Sequence, residues 1–273
     1  MKKYVVVTFV IALIAIGLPA FAGLFTLHPA GFGPQSFASW KAQEGLDDPG
    51  NGLPQQALYF QKFTSTATVA AGVAVFKGFT GLRVEEITGL EWKHRDDGHC
   101  GAGAPRWNII SRDPVTGKRY ITFLGCAAAA HTTDGTSVNK SGTHTWITDR
   151  QDLLTATCAP FDPDAPPVAS CATFSVAQFG IVFDEGTDQG QGFVFLDDIT
   201  VEANGVRHVW HSASDNSSNS TALIPALGPG IAAASDLLPP TDPVPASQIL
   251  ADLVDMFPRV PLTEFMLYPD VLP

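Results

Sequence analysis

The chain has 273 residues, 45% hydrophobic and 16% charged, with a formal net charge of −11. That length is enough to bury a full core. An acidic balance of this size repels nucleic acid and anionic lipid and argues against both as partners, although acidity alone names no substrate and suits the solubility of an exported protein.

Residues 1–22 carry the three parts of a secretory signal: Lys2 and Lys3, an apolar run over residues 4–18, and small residues around Ala20 and Ala22. Cleavage before Gly23 is expected, which would take the charge from −11 to −13 by removing the two lysines. Read as a transmembrane helix, the segment falls short of the usual ~20 apolar residues and has no charged flank after Leu18, so an uncleaved anchor is the weaker reading. Gly, Pro and charged residues interrupt every later apolar stretch, and no membrane span is expected in the mature chain.

Residues 23–211 read as one all-β domain, with short runs rich in Val, Ile, Phe, Tyr and Thr separated by Gly, Asp, Asn and Pro. Strands are predicted at 57–63, 68–76, 86–94, 106–111, 119–125, 143–148, 176–184, 192–201 and 207–211, which suits a two-sheet antiparallel sandwich. Residues 67–75 also suit a short helix; Val69, Val73 and Val75 at alternate positions and Gly72 in the middle favour a strand. In 192–201, Phe193, Phe195, Ile199 and Val201 are expected on one face, with Asp197 the exception.

All four cysteines lie in the exported part, and an even count in an oxidising compartment reads as two disulfides. Of the three pairings, Cys100 with Cys126 and Cys158 with Cys171 lets each bridge close one local loop, contributing about 3 kcal/mol apiece. A metal reading needs CxxC or Cys/His spacing, which is absent. A symmetric hairpin centred near Val115 would place Cys126 opposite Pro105, so the first bridge requires residues 101–104 to fold back, which gives Gly101 and Gly103 a structural reason to be there.

Beyond His211, residues 212–246 read as a Ser/Pro-rich linker carrying Pro225, Pro229, Pro239, Pro240, Pro243 and Pro245. Residues 247–273 form an amphipathic tail: Ser247 is a candidate N-cap, and Ile249, Leu250, Leu253, Val254 and Phe257 share one helical face. A helix this short is marginal alone, which favours docking on the sandwich over service as a partner-binding tail. Asn216 and Asn219 begin glycosylation sequons that matter only in a glycosylating host.

No GxSxG, HExxH, P-loop or dinucleotide fingerprint is present. A glycosidase needs two flanking carboxyl groups, and Glu85, Glu86 and Glu91 or Asp184 and Glu185 are the available sets. Glu86 and Glu91, five apart on a regular strand, would face opposite ways. His94, Asp96, Asp97, His99 and Cys100 gather metal-ligand chemistry in seven residues, but Asp97-Gly98 is an ordinary turn signal and the spacing fits no usual framework; His208 and His211 are read the same way. Calcium is the better candidate: Asp47 and Asp48 lie in an oxygen-rich loop, another follows Asp184, and Asp197 and Asp198 interrupt an apolar strand. A buried carboxylate must be paired, hydrogen-bonded or metal-bound, so the inward member of the Asp197/Asp198 pair needs either a structural calcium or backbone amides of the Asp47-Asp48 loop. For sugar recognition, where a flat ring stacks on a pyranose, five tryptophans are available, most of them expected in the core. If Trp107 points inward, Arg106 and Asn108 present a polar binding surface on the other face.

Residues 57–62 (ALYFQK), the GHCGAGAPRWN segment with its later Gly125-Cys126, and IVFDEGTD over 181–188 followed by FLDDITV over 195–201 together resemble a group of secreted bacterial jelly-roll sandwich proteins. These are similar in outline to carbohydrate-binding modules and to galactose-binding-like or concanavalin-like domains. The resemblance spans about residues 36–203 and implies a jelly-roll fold, export and a Cys100–Cys126 bridge, with no transferable binding residues. Fold analogy does not establish function. The expectation is a secreted, non-catalytic recognition or structural domain whose partner is an extracellular glycan or cell-surface component. The competing expectations are an extracellular glycoside hydrolase or lyase of concanavalin-like type and a surface or matrix assembly protein that uses the tail helix as its contact.

Overall fold

The computed structural model describes residues 25–46 and 56–216. The expected signal segment, most of the linker, the amphipathic tail, and Asp47 and Asp48 lie outside the described residues. In chain order the strands are β1 (Thr26–Phe32), β2 (Ser36–Ala42), β3 (Gln56–Lys62), β4 (Ala71–Lys77), β5 (Ile87–Arg95), β6 (Arg106–Arg112), β7 (Arg119–Gly125), β8 (Ala130–Asn139), β9 (Gly142–Gln151), β10 (Cys158–Pro160), β11 (Ser175–Phe183), β12 (Phe193–Ala203) and β13 (Val206–Trp210). They form two antiparallel sheets. Sheet A runs β1-β4-β11-β6-β7-β10 and sheet B runs β2-β3-β12-β5-β9-β8, with β13 alongside β12.

The nine expected strands are all present, with ends shifted by a few residues. Four more were not legible. β1 contains Pro29 and Gly31, β2 alternates small and aromatic residues, β8 is mostly Thr and small polar residues, and β10 has three residues beside a cysteine. Pro29, the small residues of β1 and β2, Asp134 with Gly135 in β8 and the shortness of β10 interrupt the β-branched and aromatic run on which strand reading depends. Glu86, expected at the start of a strand, lies in a 3-10 turn over Val84–Glu86, where its carboxylate accepts the Arg83 amide at 2.6 Å.

The β6–β7 hairpin follows directly from its turn residues. Asp113 accepts the Val115 amide at 2.9 Å and the Thr116 hydroxyl at 2.6 Å, and Gly117 takes the left-handed conformation at φ +73°. That turn sets Arg106 opposite Gly125 and Trp107 opposite Leu124. Odd-numbered Trp107 and Ile109 pack in the core between the sheets, while Arg106, Asn108 and Ile110 face outward.

The main core lies between the sheets. Trp107 stacks on Trp92 of sheet B at 4.6 Å, and Phe76, Phe179 and Trp210 close round it. Trp92, Trp107, Trp146 and Trp210 are fully buried, each a transfer gain of at least ~2 kcal/mol. β12 shows the largest departure from simple alternation. Its pairing with β5 slips between Asp197 and Thr200, and Asp198 sits at φ +48°. The extra residue reverses the alternation there. Val194 and Leu196 face inward before it, Ile199 and Val201 after it. Phe193, Phe195 and Asp197 share the outer face, so the expected grouping of Phe193 and Phe195 with Ile199 and Val201 is overturned.

The domain's contacts continue past His211. Asp215 accepts the amides of His211 and Ser212 at 2.6 and 2.7 Å. Asn216 exchanges hydrogen bonds with the Leu27 backbone and accepts the Trp210 indole N–H at 3.2 Å.

Candidate ligand-binding surface

Arg106 and Asn108 lie side by side on the outer face of sheet A, as the alternation of β6 requires. The Arg106 guanidinium makes a two-pronged ion pair with Asp184, donates from Nε to Asn108 Oδ1 at 2.9 Å and reaches the Gly103 carbonyl at 2.6 Å. Asn108 is only 3% exposed beneath it. The surface residue that sequence reading missed is Phe123, directly across from Asn108 on β7 and 48% exposed. The guanidinium lies 5.4 Å from its ring centre. An exposed Phe in a strand is indistinguishable in sequence from a core Phe, and only the register shows which face it takes.

The carboxylate facing Arg106 is itself well anchored. The Lys62 ammonium, buried behind it, donates to the carbonyls of Asp184, Thr68 and Thr66 at 2.7, 2.8 and 3.2 Å. Burial pulls the Lys62 ammonium below its usual range, with Asp184 and Asp188 opposing. Three carbonyls thus replace the water that a buried ammonium loses.

The glycine-rich segment beside this surface is a pinned corner. Cys126 donates its amide to the Pro105 carbonyl at 2.9 Å, so the hairpin does place Pro105 opposite Cys126. Residues 101–104 fold back through a Gly101 amide to Ala104 carbonyl bond of 2.7 Å, bringing Cys100 to Cys126 with Cα atoms 5.2 Å apart. Glu185 holds the turn by accepting from His99 Nε2 at 2.6 Å and from the amides of Gly103 and Ala104 at 3.0 and 3.1 Å. A Cβ on Gly101 or Gly103 would run into that carboxylate. Cys158 and Cys171 also lie at disulfide distance, Cα atoms 5.8 Å apart, beside a small separate core of Tyr120 and Phe174.

Asp197 and Asp198 lie on the outer face of sheet B. The buried Asp197 carboxylate accepts the Leu46 amide at 2.7 Å and the Asp198 amide at 2.7 Å. Asp198 pairs with Lys93 at 2.7 Å and with His211 at 2.5 Å. Burial pushes the Asp197 carboxyl up to about 6. Burial acts on Asp198 in the same sense, yet His211 and Lys93 hold it down at about 2. Asp197 and Asp198 in turn raise the His211 imidazole to about 10. The partners that a buried carboxylate requires are here amides and two cationic side chains, and a calcium ion would have to displace both cations. Asp197, Asp198 and His211 lie together, and Asp47 and Asp48 of the expected calcium set are outside the described residues.

The remaining titratable residues of the expected metal segment diverge. His99 turns to Glu185, whereas His94 turns to Asp149, a fully buried residue of β9. Asp149 accepts from His94 Nδ1 at 2.5 Å, Trp92 Nε1 at 2.7 Å and His131 Nδ1 at 2.7 Å. His131 belongs to the edge strand β8, with its side chain 41% exposed. Nothing local in sequence joins residues 94, 131 and 149; sheet order alone does. Asp97 caps Arg95 at 2.7 Å, and Glu91 pairs with Arg150 and Arg207.

A groove of about 360 Å³ at the other end of sheet A is lined by Ile110, Arg112, Arg119 and Gln178, without a carboxylate. Among the described residues, no helix is long and apolar enough to cross a membrane. Comparison of the chain with protein-family models, with curated proteins and with solved structures finds no match in any of the three.

Proposed function

We propose that this is a secreted, non-catalytic recognition domain of jelly-roll type that binds an extracellular glycan at the outer edge of sheet A. The observation that carries the reading is Phe123, a half-exposed ring set against an Arg106 guanidinium already fixed by Asp184. A ring of this kind stacks on the apolar face of a pyranose, while Arg106 and Asp184 offer donors and acceptors to its hydroxyls. Because Lys62 and the pinned corner hold both charged groups in place, little side-chain freedom is lost on binding. The hydrolase reading has less support: Asp184 and Glu185 are committed to Arg106 and to the 101–104 turn, and four tryptophans that would line a sugar cleft are buried.

The test is a glycan array probed with the purified domain and with Phe123→Ala. Binding that falls at least about tenfold in the variant supports the site, since aromatic stacking contributes on the order of 1 kcal/mol or more. Absence of binding to every glycan overturns the function, and binding unchanged in Phe123→Ala overturns the site.

A further inference from the structure

The groove at the far end of sheet A is built on three neighbouring strands. Ser175 of β11 stands opposite Arg112 of β6, and Arg112 stands opposite Arg119 of β7, so the three side chains form one row on the outer face. Gln178 and Ile110, paired in the next row, and the Thr80-Gly81 loop complete a space of about 360 Å³, a size that suits one small ligand. Two arginines directly across a strand pair repel each other and weaken the sheet unless an anion lies between them. Asp162 serves one of them, accepting from Arg119 Nε at 3.0 Å and lying 2.8 Å from its Nη2. Arg112 donates to the Gly117 carbonyl at 2.8 Å, and among the described residues no carboxylate pairs with it. The acidic neighbours are engaged elsewhere, Asp113 in the β6–β7 turn and Asp164 on Lys118. A cationic groove thus stands on a chain whose net charge is −11. Its wall also carries an unmet polar group: the side-chain oxygen of Gln178 is buried without a hydrogen-bond partner among the described residues. Leaving such a group unpaired costs stability that a ligand hydroxyl can restore.

We infer that this groove binds a sugar that carries one carboxylate, a uronic acid of the glycan, with the Arg112 guanidinium on the carboxylate and Ser175 and Gln178 on the hydroxyls. The planar fork of an arginine meets a carboxylate through two parallel hydrogen bonds, and this one is not already taken by an acidic side chain. Arg119, held in place by Asp162, adds a second positive charge without having to move. A single charge among hydroxyls suits the groove better than a polyanion, because the acidic body of the protein repels the remainder of such a chain. The ligand class rests on the glycan reading. The location does not, since Phe123 lies four residues along β7 from Arg119, ~13 Å away.

Titration of the isotope-labelled full chain with glucuronate and galacturonate, against their neutral parents glucose and galactose, tests it by NMR. A uronate should bind at least about tenfold more tightly than its parent and shift the backbone amides of Gly81, Ser175 and Gln178. Arg112→Gln should lower the uronate affinity at least about tenfold, as expected for the loss of a charge-assisted pair. Arg112 is exposed and bonded to one turn carbonyl, so the variant should melt with the parent. Arg150→Gln, which removes the same charge from an exposed position on sheet B, should leave uronate binding unchanged. Uronates that bind no better than the neutral sugars overturn the inference. So do shifts gathered at Phe123 and Arg106, which move the acidic sugar to the other site, and tighter binding of glucose 6-sulfate than of glucuronate, which assigns the groove to sulfate esters. If the array still shows a neutral glycan bound, this inference fails alone; if no sugar binds at all, the glycan reading fails with it.

Discussion

His211 Nδ1 stands 2.5 Å from Asp198 Oδ1, an ion pair between the residue that follows β13 and the bulge of β12. It stabilises the fold through the proton it holds. The imidazole titrates at about 10 in the folded protein and near 6.5 in the unfolded chain. Its contribution is fully present below 6.5 and is lost as the pH rises through 10. Urea midpoints measured from pH 6 to 10.5 should fall across that window, and His211→Gln should flatten the slope. A midpoint independent of pH in the parent protein would show that the pair contributes nothing.

The same cluster supplies both carboxylates with protein partners. With the Asp197 oxygens on the Leu46 and Asp198 amides and the Asp198 oxygens on Lys93 and His211, removal of divalent ions leaves no carboxylate unpaired. Thermal melts with and without EDTA should superimpose. A drop of several degrees on chelation would place a cation between these carboxylates and the 47–48 loop.

His208 is expected to cost stability at neutral and acidic pH. Its ring is buried against Phe25 at 4.2 Å, and neither nitrogen has a hydrogen-bond partner among the described residues. Burial lowers its pKa below the usual imidazole range, so the unfolded chain takes up the proton first and stability falls as the pH drops below about 6.5. His28, at about 4, adds to the same slope. His208→Leu should raise the unfolding free energy by about 1–2 kcal/mol at pH 7, the cost of leaving such a group unpaired, and should shallow the acid-side decline. Destabilisation in the variant would mean that the ring's packing outweighs its lost solvation.

The Cys100–Cys126 bridge closes a 26-residue separation. Constraint of the unfolded chain by a loop of that size contributes about 3–4 kcal/mol. Cys100→Ser/Cys126→Ser should lose that amount in chemical denaturation. The 101–104 turn should survive near pH 7, because Glu185 holds it through three hydrogen bonds of its own. Faster hydrogen exchange of the Gly103 and Ala104 amides on loss of the bridge would show that the turn depends on the sulfurs.

Sequence by itself determined what neighbours along the chain decide. The Asp113 turn and its Gly117 set the β6–β7 register, which turns Trp107 and Asn108 to opposite faces and brings Cys126 opposite Pro105. Local loop closure singled out the two cysteine pairs. Tertiary structure alone decided the rest, because the deciding contacts join residues far apart in the chain. The Leu46 amide answers Asp197 across 151 positions, and the His94–Asp149–His131 cluster exists only because β5, β9 and β8 are adjacent in sheet B. The bulge at Asp197 and Asp198 reverses the strand's faces through a single residue at positive φ, a conformation that the apolar–polar pattern does not encode. Phe123 owes its exposure to its position on β7 beyond the reach of the three-residue β10, an accident of strand length that no property of phenylalanine announces.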